Sequence, residues 1–242
     1  MKNKSLIAGG CLFIMLLIPL SSGYADFGNI FKKVQEAISG SSGVSQNEIV
    51  DGLKEALEIG TGNTVQALSK LNAYYSDPQV KIPLPQSLQK FEKILRATGF
   101  GSELDAFELS MNRAAEKAAP EAKALFVDAI KEMTFADADK ILKGADNEAT
   151  VYFKNKTSDK LQALFKPVIR QSMESVGVTR YYQSLSEKIE TIPFVSDYTV
   201  DLDAYVTKKS IDGLFVRLAE EEAKIRNDPA ARVTELLKKV FR

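Results

Sequence analysis

The sequence predicts an all-α fold, an irregular multi-helix bundle of about nine to eleven helices with one proline-rich extended connector. The first observation is that apolar residues recur three and four positions apart through most of the chain, as helices with one buried face require. The second is that no stretch shows a hairpin signal or the strand–helix–strand order of a parallel sheet. The third is that three prolines fall within residues 76–85, where each fixes φ and lacks a backbone donor.

Capping and helix-breaking residues divide the first half of the chain into segments. Ser45 and Glu48 form a capping box that opens a helix, and Gly60 and Gly62 are expected to interrupt that helix. After the connector, Ser102 is expected to cap a further helix. The predicted helices of this half are 27–38, 45–71, 86–97, 102–118 and 120–133.

The second half is divided in the same way. Gly144 and Gly177 are expected to end two helices, and Pro167 is expected to kink the longer of them. Asp201 is expected to cap a long helix that follows residues 191–200, the one segment with an extended pattern. The predicted helices here are 135–143, 146–156, 158–176, 179–190, 202–226 and a last helix opened by Asp228-Pro229.

The first 25 residues have the three parts of a secretory signal peptide. Two lysines precede an almost unbroken apolar stretch at 6–20, and Gly23 and Ala25 supply the small residues of a cleavage site. The apolar stretch, about 15 residues, is shorter than the roughly 20 that a membrane-spanning helix needs. An uncleaved anchor and lipidation at Cys11 are the alternatives. We expect a periplasmic or secreted protein that is cleaved near Ala25.

Three regions follow from this organisation. They are the signal peptide at 1–25, an N-terminal helix with a Gly/Ser linker at 26–44, and a helical domain at 45–242. The single Cys lies in the signal peptide, so the mature chain cannot form an internal disulfide. No transmembrane segment is predicted in the mature chain, and its stability is expected to come from core burial.

Charge balance and composition exclude several functional classes. The 32 Lys and Arg residues balance 32 Asp and Glu residues, so no strong field attracts nucleic acid and none is expected as a partner. The chain has no His, which excludes Ser-His-Asp triads, Cys-His dyads and His-based zinc sites. We therefore expect no catalytic residue, no cofactor and no bound metal, and a non-enzyme is favoured over an enzyme.

One predicted helix carries a stripe of polar side chains that is the candidate ligand-binding site. At about 100° per residue, its four members fall within roughly 80° of one another. They are Asp105, Glu108, Asn112 and Glu116. Three carboxylates and an amide suit Ca²⁺ binding or acid–base chemistry. The alternative is a solvated face, and a second element covering the stripe would decide, since a buried carboxylate requires a partner such as Arg113.

Two other groups are interpreted as structural. Glu222 and Arg226, four residues apart, are expected to form an exposed ion pair on the long C-terminal helix. The pairs Tyr74-Tyr75 and Tyr181-Tyr182 could stack a sugar or a peptide, but tyrosines also commonly lie half-buried at helix ends.

Several segments carry a resemblance to a known family. The most recognisable are Ile82-Pro83-Leu84-Pro85 and Asp212-Gly213-Leu214-Phe215, together with residues 52–57, 108–116, 201–207 and 225–232. From about Ser45 to the C-terminus, the chain resembles a secreted bacterial family catalogued as a domain of unknown function, family 4197. The resemblance implies a signal peptide and a helical body, and it implies no activity, cofactor or catalytic residue.

Three functions remain open. The favoured one is a non-enzymatic helical protein of the bacterial envelope that acts as an interaction or scaffold module, with an unknown protein or an apolar ligand as partner. The second is a carrier that binds an apolar small ligand between its helices, which an enclosed apolar cavity would support. The third is a carboxylate-based hydrolase or metal-dependent enzyme, which carboxylates converging in a cleft would support. The oligomeric state is not predicted.

We expect the mature chain to begin at Asp26, because Gly23 and Ala25 occupy the small-residue positions of a signal-peptidase site. Intact-mass analysis of the protein isolated from its native cells measures this. A species that retains Met1, or one that is lipidated at Cys11, would contradict the secretion hypothesis.

Overall fold

The computed structural model describes residues 46–190 and 200–228. Within them it places nine α-helices and one 3₁₀ helix, and no strand, which confirms the predicted all-α class. We number the helices in chain order. They are α1 Gln46–Leu68, α2 Gln86–Gln89, α3 Glu92–Ala97, α4 Gly101–Ala118, α5 Ala122–Lys131, α6 Phe135–Lys143, α7 Glu148–Val176, α8 Val178–Glu190 and α9 Leu202–Asn227, and the 3₁₀ helix is Ala119–Glu121.

Helices α7 and α9 pack antiparallel at the centre of the bundle. Arg170, late in α7, forms an ion pair with Asp203, early in α9. At the opposite end, Glu222, late in α9, accepts a hydrogen bond from the backbone N–H of Thr150, early in α7. The two contacts fix the relative direction of the helices.

Helices α4 and α5 together run antiparallel to α7 and α8. Phe107 in α4 stacks on Tyr182 in α8, with 5.9 Å between ring centroids. Phe126 in α5 meets Phe153, near the start of α7, edge to face at 5.2 Å. All four rings lie in the apolar core that these helices enclose or pack against it.

Helix α1 completes the bundle by packing antiparallel to α9. The Asn63 amide donates to the Glu221 carboxylate over 3.1 Å, and a Cβ at Gly60 would lie 3.4 Å from Ile225 Cδ1. The expectation that Gly60 and Gly62 interrupt this helix is wrong, because α1 is continuous through both. Packing against α9 offsets the low helix propensity of glycine.

Helix α7 joins two segments that the sequence predicted as separate helices, 146–156 and 158–176. At the expected break, Thr157 is buried, and its hydroxyl donates to the Phe153 carbonyl over 2.7 Å. This hydrogen bond satisfies the Thr157 hydroxyl within the helix, so α7 continues through Thr157. The helix also continues through Pro167.

Two local predictions about helix starts differ in outcome. The cap at Ser102 is wrong, because α4 begins at Gly101 and the Ser102 hydroxyl donates to the Glu103 carboxylate instead. The cap at Asp201 is confirmed, because its carboxylate accepts the Ala204 N–H over 2.9 Å.

The single helix predicted over 86–97 is present as two short helices, α2 and α3.

Residues 69–85 join α1 to α2 and are called the connector below. The sequence predicted extended chain over 76–85, but the connector contains turns up to residue 80 and lacks regular structure only from residue 81 onward. Asp77 closes a turn, because its carbonyl accepts the N–H groups of Val80 and Lys81 over 3.1 and 2.8 Å.

Some predictions concern residues outside the described ranges. They are the signal peptide, the N-terminal helix with its linker, most of the extended segment at 191–200, and the last helix. The helices that are described belong to one unit, Val44–Arg242. None of these described helices combines the length and the apolarity that crossing a membrane would demand.

Tyr74 attaches the connector to the bundle. Its side chain is fully buried, and its hydroxyl donates to the Ser210 carbonyl of α9 over 2.8 Å. Burial raises the pKa of the Tyr74 phenol well above its usual range, and the nearby Glu116 carboxylate adds to the rise, so the phenol remains a neutral donor. Its ring lies against Gly213 of α9, where a Cβ would be only 2.7 Å from Tyr74 Cε1.

Gly213→Ala is expected to lower the free energy of unfolding by about 1–2 kcal/mol. Overpacking costs roughly 1–3 kcal/mol, and the better helix propensity of alanine offsets up to about 1 kcal/mol of that cost. Gly62→Ala is the matched control, because nothing lies within 4 Å of a Cβ at that helical position. It should stabilise the protein by about 0.5–1 kcal/mol in urea denaturation. If both substitutions stabilise, the packing of Tyr74 does not require a glycine.

Candidate functional site

The stripe predicted as a candidate ligand site lies on α4, and all four of its members contact other parts of the same chain. They are Asp105, Glu108, Asn112 and Glu116. The connector lies against the last three members, and Arg96 of α3 contacts the first. The sequence left open whether a second element covers the stripe. The structure shows that the connector covers most of it.

Asn112 holds the connector by its backbone. The side chain is fully buried, its Oδ1 accepts the Ile82 N–H, and its Nδ2 donates to the Ile82 carbonyl, each over 2.8 Å. Nδ2 also donates to the Glu108 carbonyl over 2.8 Å. Because one donor and two acceptors surround the amide, only one orientation of its oxygen and nitrogen satisfies them. A paired strand would make the same two bonds to Ile82.

Glu116 links the connector to Arg113, the partner that the sequence suggested. Its carboxylate is 5% exposed and accepts the Tyr74 N–H over 3.2 Å and the Arg113 guanidinium over 2.7 Å. Arg113 also donates to Asn72 Oδ1 over 2.7 Å. Asn72 has a φ of 66°, a left-handed conformation that asparagine adopts more readily than most residues. These contacts fix the turn at the start of the connector.

The other two members of the stripe lie nearer the surface. Glu108 forms an ion pair with Lys81 of the connector over 2.8 Å, and the Lys81 ammonium lies 4.4 Å from the centroid of the Tyr75 ring. Asp105 is paired with Arg96 over 2.8 Å but its side chain is 57% exposed. An exposed pair of this kind contributes about 0–1 kcal/mol to stability.

The polar groups of the stripe bind other parts of the same chain. Each of its three carboxylates contacts a lysine or an arginine, and its amide is satisfied by backbone groups. In the ranges that the structure covers, no three His, Cys, Asp or Glu side chains are grouped so that they could hold a metal ion. What this arrangement does is hold the connector in one register on α4.

The connector begins with an exposed turn that carries Leu71. This side chain is 75% exposed and directly precedes Asn72. It forms one wall of an open groove of about 350 Å³, whose apolar lining includes Ala67 and Ala73. Lys70 lies at the same groove and has no ion-pair partner among the described residues. The sequence predicted a helix over 45–71, but α1 ends at Leu68 and Leu71 lies in the turn that follows it.

A second buried carboxylate, Glu222, forms the predicted ion pair with Arg226, but the pair is largely buried and not exposed as expected. Glu222 is 6% exposed and accepts the backbone N–H groups of Ala149 and Thr150 over 2.9 and 2.8 Å. Its partner Arg226, at 2.8 Å, also donates to the Ile141 carbonyl. Glu222 thus caps the N-terminus of α7 from another helix. No local pattern indicates this, since the residues it caps are 72 and 73 positions away.

Comparison with known proteins identifies the family. The family model described as "Protein of unknown function (DUF4197)" matches residues 43–242, and the chain belongs to that family. This confirms the resemblance seen in the sequence. Neither the curated proteins nor the solved structures contain a match to the chain.

Asn112→Asp is expected to lower the free energy of unfolding by roughly 2–4 kcal/mol, because it replaces a buried donor with an anionic oxygen facing the Ile82 and Glu108 carbonyls. Asp105→Asn is the matched control on the same stripe. Because that side chain is 57% exposed, its effect should stay below about 1 kcal/mol. Urea denaturation measures both changes, and equal effects would show that the Asn112 amide does not hold the connector.

Proposed function

We propose that this member of the DUF4197 family is a non-enzymatic interaction module of the bacterial envelope, and that it binds a partner protein through Leu71. The signal-peptide pattern of residues 1–25 supports the location. Two features support a non-enzymatic role. The chain has no His, and the polar stripe that suggested chemistry is committed to ion pairs and hydrogen bonds within the chain.

The observation that carries the proposal is an exposed leucine on a fixed turn. Single exposed apolar side chains are common on protein surfaces and need no explanation by themselves. Leu71 differs because the next residue, Asn72, is bound by Arg113, which in turn is bound by Glu116. A side chain presented on a fixed backbone loses less conformational entropy on binding than one on a flexible loop. Burying a leucine contributes roughly 1.5–3 kcal/mol.

The charges beside Leu71 indicate what the partner surface contains. Lys70 has no ion-pair partner among the described residues, whereas Arg217, which also lines the groove, is paired with Asp77 and Glu220. A complementary surface therefore offers an apolar pocket for Leu71 with a carboxylate placed to meet Lys70. Such complementarity favours the correct partner and speeds association.

The test is site-specific photo-crosslinking in the native cells. A benzophenone amino acid replaces Leu71 in one strain and Phe135 in a second strain. Phe135 is the matched control because it is also a large apolar side chain, 49% exposed, and lies away from the connector at the start of α6. We expect a discrete crosslinked protein from position 71 and none from position 135.

A charge variant sharpens this test. Lys70→Glu should reduce the yield of the position-71 adduct several-fold, because it places like charges together in the complex. Because Lys70 is exposed, Lys70→Glu should change the free energy of unfolding by no more than about 0.5 kcal/mol. The proposal fails if position 71 gives no adduct, if position 135 gives the same adduct, or if Lys70→Glu leaves the yield unchanged.

A further inference from the structure

A separate cleft lies at the other end of the connector. It is open, has a volume of about 370 Å³, and is bordered by the connector, α2 and α9. This volume falls in the range of roughly 300–1,000 Å³ that is typical of small-molecule sites. The residues that form it include Pro83, Pro85, Ser87, Gln89, Tyr205 and Lys209.

The walls of this cleft are held in place by hydrogen bonds to the connector. The Tyr205 hydroxyl donates to the Pro83 carbonyl over 2.9 Å. The Gln89 amide donates to the Leu84 carbonyl over 2.7 Å. Because Pro83 and Pro85 each have a fixed φ, the apolar wall needs little ordering when a ligand binds.

Two polar groups in the cleft lack partners within the described residues. The Ser87 hydroxyl oxygen is buried and makes no hydrogen bond there. The Lys209 ammonium forms no ion pair there, although Arg170 and Lys81 near the same end of the bundle are each paired with a carboxylate. A buried hydroxyl is rarely left unpaired in proteins, because the loss of hydration is then uncompensated. Both groups can donate to an anion.

Two acidic side chains near the cleft, Glu108 and Asp201, are engaged elsewhere. Glu108 lies close enough to add to the rise in the pKa of Tyr205, which burial mainly causes. Its own charge is compensated by Lys81 at 2.8 Å. Asp201, next to Val200 of the cleft, accepts the Ala204 N–H as a helix cap. Neither of these two carboxylates pairs with Lys209.

We propose that this cleft binds a small organic anion, a carboxylate attached to an apolar body. The carboxylate accepts hydrogen bonds from the Lys209 ammonium and the Ser87 hydroxyl, and the apolar body lies against Pro83, Pro85 and the Tyr205 ring. This inference is independent of the interaction through Leu71, which lies at the opposite end of the connector.

The experiment is a two-dimensional ¹H–¹⁵N NMR titration of the chain from Asp26 to Arg242. The probes are N-acetyl-L-phenylalanine and its neutral amide, which differ only in the carboxylate. We expect saturable shifts of the amide signals of Ser87, Tyr205 and Lys209 with the acid, and at least about tenfold weaker binding of the amide. That ratio corresponds to one charge-assisted hydrogen bond.

Two adjacent lysines provide a matched pair of variants. Lys209→Met removes the charge in the cleft and should abolish the preference for the acid, whereas Lys208→Met, at an exposed neighbour outside the cleft lining, should preserve it. Ser87→Ala should weaken the binding of the acid several-fold. Equal binding of acid and amide, equal effects of the two lysine variants, or no saturable shift up to about 10 mM acid overturns the proposal.

Discussion

The pair of hydrogen bonds between Asn112 and Ile82 fixes the connector, and both of the binding surfaces proposed above depend on the connector. Its first residues present Leu71, and its last residues form one wall of the cleft that contains Lys209. Apolar contacts alone would allow the connector to shift along α4, because they are not directional. A fully buried amide permits one register only, since any shift leaves its donors and acceptor unpaired at a cost of about 1–3 kcal/mol.

The spacing of these contacts also determines the shape of the connector. Tyr74 and Ile82 are eight positions apart, yet they bind Glu116 and Asn112, which are four positions apart on α4. Four residues of helix span about 6 Å, whereas eight extended residues would span about 26 Å. The chain between the two contacts must therefore fold back, and the turn closed by Asp77 does this. The prolines correctly predicted a segment that is not a helix. They do not indicate how far apart on α4 the two contacts of the connector lie.

The helical class, most of the long helices and the stripe on α4 could be predicted, because periodicity and capping depend on neighbouring residues. The differing surroundings of the stripe's members could not. Asp105 and Asn112 share one face, yet one is 57% exposed and the other is fully buried, because the connector covers only part of that face. The burial of Glu222 could not be predicted for a similar reason, since its backbone partners on α7 are distant in the chain. Gly60 failed to interrupt α1 because packing against α9 outweighs its local propensity.

Glu116 and Glu222 show how this fold uses buried carboxylates. Each binds an arginine on its own helix and backbone N–H of another segment, one group for Glu116 and two for Glu222. A buried ion pair adds little net stability, but removing one partner leaves an uncompensated charge, so such pairs fix which segments meet. The two oxygens of Glu222 accept bonds from Arg226, from two backbone N–H groups and from the Thr150 hydroxyl, which occupies the acceptor capacity of a carboxylate. A carboxylate engaged in this way holds the fold together and has no acceptor site left for a substrate proton.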